Sequence, residues 1–181
     1  MNYLLKNGKT AVIRPPRIED AESLIRLFTT AETETSFLGR NPGEFQYTIE
    51  EERSIIENVL KSVDSTWFVA EYEGRIVGQC SIGLVRRNQR FRHRADMAIV
   101  LLQSHWNLGI GGRMMTECLN WCREHGVLQV ELDVVSGNER AMNMYRSFGF
   151  EITGTNPRAL RYPNGSFSDE YTMVKFLDKS E

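Results

Sequence analysis

The sequence predicts an α+β fold, one domain around a single mixed, mostly antiparallel sheet of about seven strands with about four helices. Three observations carry this. The length of 181 residues suits one domain with a full core. Apolar residues at strand and helix spacing alternate in the order strand, two helices, three strands, helix, strand, helix, two strands. No repeat, low-complexity tract or linker interrupts that order.

The elements follow in turn. Thr10 to Pro16 is a short apolar run closed by two prolines, which suits a first strand. Ile18, Ala21, Leu24, Ile25 and Phe28 recur at helical steps and predict an amphipathic helix. In the next helix Thr48 and Glu51 have capping-box spacing, and Ile55, Ile56, Val59 and Leu60 form the apolar stripe. From Ser65 to Val85 two β-branched and aromatic runs flank the turn Glu73-Gly74-Arg75, a hairpin. Arg86 to Arg94 is a basic connector with five arginines, read as a solvated hairpin, with attraction of a ligand phosphate or an acidic macromolecule as the alternative; nucleic-acid binding by it has weak support, because only Phe91 interleaves. Ala95 to Leu102 is a strand, and a glycine cluster then opens a helix running to about His125, with Gly126 as its C-cap. Val127 to Val135 is a strand. The following short helix carries a capping-box pair, Ser136 and Glu139, and ends at Gly149. Two last strands, about Phe150 to Arg158 and Ser166 to Phe176, flank Asn164-Gly165, the strongest hairpin signal in the chain.

Composition narrows the function classes. A net charge of −2 offers no general attraction to nucleic acid or anionic membrane. Cys80, Cys118 and Cys122 contain no CxxC pair and no histidine at zinc-finger spacing, so they read as buried small hydrophobes in a reducing cytosol, with no metal. The N-terminus lacks a signal peptide's apolar core and no apolar run approaches a membrane span, so a cytoplasmic protein with no membrane partner is expected.

Gly109, Gly111 and Gly112 follow a strand and open a helix. The first N–H groups of a helix lack partners, and its dipole favours an anion there. Glycines admit that anion close to the backbone. Arg113-Met114 stands where a P-loop needs Lys-Ser/Thr, and Met114 occupies the last small position of a dinucleotide fingerprint, so neither nucleotide reading fits.

Trp106-Asn107-Leu108-Gly109-Ile110-Gly111 resembles the Arg/Gln-x-x-Gly-x-Gly/Ala pyrophosphate motif of the GNAT superfamily of acetyl-CoA-dependent N-acyltransferases, with tryptophan in place of the usual first residue. Asn138, Ala141, Tyr145, Gly149 and Phe150 match that family's second element, Asn-x-x-Ala-x-x-x-Tyr-x-x-x-Gly-Phe, without a gap. The resemblance covers residues 3–177 and implies a single GNAT-type domain, splayed at its middle strands, that moves an acetyl group from acetyl-CoA to a primary amine by direct attack. It further implies backbone contacts to the cofactor from Ile99 and Leu101, the Leu101 N–H serving as oxyanion donor. Trp106 through Gly112 would hold the pyrophosphate, with Asn138 and Tyr145 completing the site.

Such a transfer needs a base for the amine, a donor for the carbonyl oxygen and a proton for the departing thiolate. Tyr145 is the candidate acid by resemblance; periodicity alone also allows a core aromatic. Asp96 aligns with a glutamate that often serves the family as base, acting here through water; it could equally be a strand-edge charge. Glu131, Asp169 and Glu170 are weaker candidates; His93 and His105 are the remaining titratable options, of which His105 reads as surface. No cysteine occupies a matched catalytic position, which disfavours a covalent route. The acceptor is not legible: amino acids, polyamines, antibiotics and protein N-termini or lysines all fit. A homodimer is common among such relatives. The alternative is a non-catalytic acyl-CoA-binding or interaction module.

Overall fold

A computed structural model describes residues 1–177. Eight strands are present: β1 (Asn2–Leu4), β2 (Thr10–Arg14), β3 (Ser65–Tyr72), β4 (Arg75–Leu84), β5 (Arg94–Leu101), β6 (Gln129–Val135), β7 (Glu151–Arg161) and β8 (Phe167–Phe176). The helices are α1 (Ala21–Glu34), α2 (Ile49–Lys61), α3 (Ile110–Glu124) and α4 (Glu139–Ser147). All strands join one sheet in the order β1-β2-β3-β4-β5-β6-β8-β7, antiparallel throughout except for β5 beside β6. The α+β class and the four helices are as expected.

The eighth strand, β1, has no counterpart among the expected elements. Three residues hold too little pattern to mark a strand, and its place is set by pairing Tyr3 with Ala11 of β2. Two local readings also change. The cap of α4 is Asn138, whose Oδ1 accepts the Ala141 N–H at 3.3 Å, and not Ser136. On α2 the Thr48–Glu51 box forms, but the buried line is Glu52 and Ile56, while Leu60 stays 49% exposed. The helix thus buries Ile56 from its apolar stripe, leaves Ile55 and Val59 half-buried, and brings Glu52 inward in place of Leu60.

Helices cover both faces of the sheet. Under α3 and α4 lies the larger core, including Met114, Met115, Cys118, Val130, Leu132, Phe150 and Met173. Burying each large apolar side chain contributes roughly 1.5–3 kcal/mol. On the other face Leu24, Leu27, Ile56, Val69 and Val100 pack beneath α1 and α2. All three cysteines are fully buried as free thiols, with the Cys118 Sγ 3.4 Å from that of Cys80. Among the described residues no cluster of His, Cys, Asp and Glu could hold a metal, and no helix is long and apolar enough to cross a membrane.

The feature that positions the site is a fork. The parallel β5–β6 register has only three pairs, Arg94↔Gln129, Ala95↔Val130 and Asp96↔Glu131. Past them β5 continues along β4 as far as Leu101, and β6 continues along β8 as far as Val135. The two strands part and leave a gap.

Candidate active site

The parity of the flanking ladders decides which backbone groups face the gap. The Leu102 N–H donates to the Val77 carbonyl at 3.0 Å and the Val85 N–H to that of Arg94 at 3.1 Å. In an antiparallel ladder the bonded positions alternate, so the even-numbered residues of β5 bond to β4. Met97, Ile99 and Leu101 therefore turn their N–H and C=O groups into the fork. On the other arm the Ser136 N–H donates to Asp169 and the Leu177 N–H to Leu128, both at 2.9 Å. By the same alternation Asp133 and Val135 face the fork from β6. Two rows of backbone groups thus confront each other, a place for an extended amide-bearing chain to lie as an added strand.

A cavity of about 670 Å³ runs through this fork. At one end it meets the start of α3. Gly109 is the N-cap of that helix at φ +96°, a left-handed conformation that glycine adopts without strain. The N–H groups of the first helical turn, beginning at Ile110, have no intrahelical acceptor. Asn107, Gly109, Gly111 and Gly112 line the cavity, whereas the Ile110 side chain lies wholly in the core and Leu108 packs against it. Those two can serve only through their backbones. The glycines have a second purpose that spacing could not reveal: a Cβ on Gly111 would stand 3.0 Å from the Met144 Sδ of α4. Close approach of two helices is part of what they permit.

Trp106 lines the same cavity with its ring held in place, since Nε1–H donates to the Leu101 carbonyl at 2.8 Å. That carbonyl is therefore engaged, and the Ile99 groups and the Leu101 N–H are left toward the gap. Asn138 lines the cavity while capping α4. Tyr145 reaches it from α4, 8% exposed, and burial pushes its phenol up to about 12.

Acidic groups stand on the opposite face. Asp96 shares the β5 face of Val100, toward α1 and α2, at the point where the fork opens. Its carboxyl reaches solvent from a recess where the two strands part, and it does not line the main cavity. Partial burial in this recess, with Asp133 and Glu131 nearby, raises its carboxyl to about 6. Glu131 is held by Arg94, whose Nη2 lies 2.7 Å from its Oε2. Asp133 and Glu170 do line the cavity; Asp133 accepts the Thr172 hydroxyl at 2.7 Å, and burial together with Asp133 raises the Glu170 carboxyl. Asp169 instead accepts the Arg158 N–H at 2.8 Å. His93 is exposed and His105 stacks edge-on against Tyr72, both away from the cavity lining.

The structure thus brings Ile99, Leu101, Trp106, Asn107, Gly109, Gly111, Gly112, Asn138 and Tyr145 to one cavity and leaves Asp96 at its edge. Lys6, Glu34, Asp133 and Arg140 line it too and were not foreseen as site residues. Only Arg140 had a local signal, its place inside the second motif. The basic connector is spent elsewhere. Arg87 and Arg92 both pair with Asp64, and β5 separates the connector from the glycines by roughly 20 Å at about 3.3 Å per residue.

The model of the acetyltransferase (GNAT) family matches residues 24–150, and the chain belongs to that family of acyltransferases. Over 113 residues it is 38% identical to the L-amino acid N-acetyltransferase AaaT of Escherichia coli (strain K12), across 59% of this chain and 65% of AaaT. The alignment therefore spans just under two thirds of that relative. Among solved structures, a GNAT-family acetyltransferase from Streptococcus pneumoniae superposes with a TM-score of 0.87 at 27% identity, covering 92% of this chain and 99% of the other. A ribosomal-protein-alanine N-acetyltransferase from Brucella melitensis gives 0.80 at 27% identity, with coverage of 92% and 99%.

Proposed function

We propose that this chain transfers an acetyl group from acetyl-CoA to the α-amine of an amino acid or a peptide N-terminus. The observation that carries the reading is the fork itself, with backbone groups of Ile99 and Leu101 opposed to Asp133 and Val135, a glycine-cleared helix start at one end and a buried phenol beside it. These residues fit the cofactor: the fork suits a pantetheine amide chain, and the α3 start suits a pyrophosphate. When bound, the cofactor supplies the activated acetyl thioester.

The N–H groups of Ile99 and Leu101 serve the pantetheine arm and the carbonyl oxygen that gains charge. Tyr145, lining the cavity from α4, would stand beside the thioester sulfur. A phenol at about 12 is protonated throughout the neutral range. Handing its proton outright to a thiolate with a pKa of about 8.5 would be uphill by several kcal/mol. Tyr145 therefore stabilises the thiolate as a hydrogen-bond donor. The cysteines take no part, being buried in the core with the Cys122 thiol raised to about 12. Attack is direct, without an acetyl-enzyme.

Asp96 is the base, acting through water from the acceptor face. A carboxylate titrating near 6 lies about 2 pKa units below a peptide α-amine but more than about 4 below a lysine amine. Each unit costs about 1.4 kcal/mol, so a peptide α-amine is the best matched acceptor, and a free amino acid, whose own carboxylate raises its amine, falls between it and lysine. The acceptor wall agrees with a slim substrate. The β7–β8 hairpin crosses to the α1–α2 loop, where the Tyr162 hydroxyl donates to the Ser36 carbonyl at 3.2 Å. A second cavity of about 330 Å³ beneath α1 reaches Ala98 to Val100 and is walled by Phe28, Arg40 and the buried Gln79, which suits the acceptor's body.

A panel of amino acids, short peptides and Nα-blocked lysine, incubated with acetyl-CoA and read as free thiol, tests this. Release with α-amines and little with blocked lysine is expected. Binding of acetyl-CoA without turnover on any amine would favour a non-catalytic module. A cytosolic setting belongs to the same proposal, supported by three unpaired thiols, two of them 3.4 Å apart. So does a homodimer, for which β7 offers an open sheet edge; light scattering in solution decides that point.

A further inference from the structure

Trp106 occupies a position where the family motif carries a polar or cationic side chain, and its only side-chain N–H is committed to Leu101. No charge from that position can meet an anion. Across the fork, in the first turn of α4, the Arg140 guanidinium lies over the Trp106 ring with Cζ 2.9 Å from its centroid. The two residues come from opposite arms, and both line the cavity that holds Gly109, Gly111 and Gly112. Arg140 forms no ion pair among the described residues, and partial desolvation against the indole lowers its pKa without removing its charge at neutral pH. A cation so placed, stacked on an aromatic face and lacking a carboxylate, has its donor edge free for an anion.

We propose that Arg140 is the cationic ligand of the cofactor's pyrophosphate, with Trp106 as the platform that orients it. The pair replaces the single polar residue usual at position 106. Arg140 offers bidentate hydrogen bonds to phosphate oxygens while the α3 amides supply the rest of the cradle. Lys6 also enters this cavity, but among the described residues no ring or carboxylate pairs with its ammonium, so it contributes as an unstacked point charge. The inference rests on the coenzyme A reading above.

Calorimetric titration of wild type, Arg140→Ala and Arg140→Lys with CoA, 3′-dephospho-CoA and pantetheine separates the claims. Arg140→Ala should weaken CoA and 3′-dephospho-CoA alike by roughly 10- to 100-fold, leave pantetheine unchanged, and flatten the salt dependence. Arg140→Lys should fall between, because a point charge lacks the guanidinium fork. Trp106→Ala should weaken CoA too, and the double variant should lose less than the two single losses combined. Unchanged CoA affinity in Arg140→Ala overturns the proposal, as does a loss confined to CoA, which would mark the 3′-phosphate, or an equal loss with pantetheine, which would mark a structural role. Failure of wild type to bind CoA at all would instead overturn the coenzyme A reading. Arg140 is exposed, so its variants should melt as wild type does.

Discussion

Asp96 and Glu131 form the last pair of the parallel β5–β6 ladder, with their carboxylates on the same face of the sheet where it forks. Glu131 is neutralised by Arg94, and Asp96 has no cation of its own among the described residues. The same fork that is proposed to admit a cofactor therefore holds a carboxyl near 6 at its apex.

That carboxyl should govern the acidic limb of activity. With its pKa raised, Asp96 is protonated below about 6 and becomes a competent base as the pH rises. The kcat/KM profile should climb through that value, and Asp96→Asn should lose the limb with most of the rate, whereas Glu170→Gln should keep it. Stability has the opposite sign. A raised folded pKa means that ionisation is disfavoured in the native state, so the stability present below the unfolded value is lost as pH rises through about 6. Asp96→Asn should accordingly raise Tm at pH 8 and leave it unchanged below pH 4.

Tyr145→Phe keeps the ring and removes the donor. If the phenol stabilises the thiolate by a hydrogen bond, kcat should fall by about 10- to 100-fold with the KM for acetyl-CoA nearly constant. The wild-type profile should show no descending limb from Tyr145 below about pH 11, since its phenol lies at about 12. Steady-state kinetics across pH check both.

Two glycines of the α3 start should respond in opposite directions. Gly109 has open space but a φ of +96°, so Gly109→Ala should cost about 1–2 kcal/mol. Gly112 is helical, and a Cβ there would meet Phe148 at an ordinary 3.6 Å. Gly112→Ala should thus stabilise the free protein by up to about 1 kcal/mol. If the bare helix start is what a pyrophosphate uses, both variants should nonetheless bind acetyl-CoA more weakly. Urea melts paired with calorimetry separate the two effects.

Glu52 lies 1% exposed on α2 with Oε1 lacking a hydrogen-bond partner among the described residues, and burial raises its carboxyl. Its ionisation is disfavoured in the folded state, so it costs stability as pH rises past its folded pKa. Glu52→Gln should stabilise the protein by about 1 kcal/mol at pH 8 and by nothing at pH 4. Urea unfolding at the two values measures this.

Much of the fold was legible because its signals are local. The Thr48–Glu51 box, the turn at Asn164-Gly165 and the glycine terminators at 126 and 149 each act within a few residues, and each appears where spacing placed it. What was hidden depends on the chain folding back on itself. β1 exists because β2 offers an edge, and the way α2 buries Glu52 follows from its seat against α1. At the site, the two motifs mark α3 and α4, but the fork between β5 and β6 is a matter of strand register. The Arg140–Trp106 stack joins residues on separate arms, which no single stretch could announce. Serine and asparagine both cap helices, so Ser136 and Asn138 were both open as the cap of α4, and geometry resolved the ambiguity in favour of Asn138.

The most direct test of the fork as the acetyl-CoA site is a titration of ¹⁵N-labelled protein with acetyl-CoA, followed by amide resonances. Shifts should concentrate at Ile99, Leu101 and Gly109 to Gly112, with smaller ones at Asp133 and Val135, and should saturate at one equivalent. Shifts centred on Arg86 to Arg94, or none at saturating cofactor, would contradict the account.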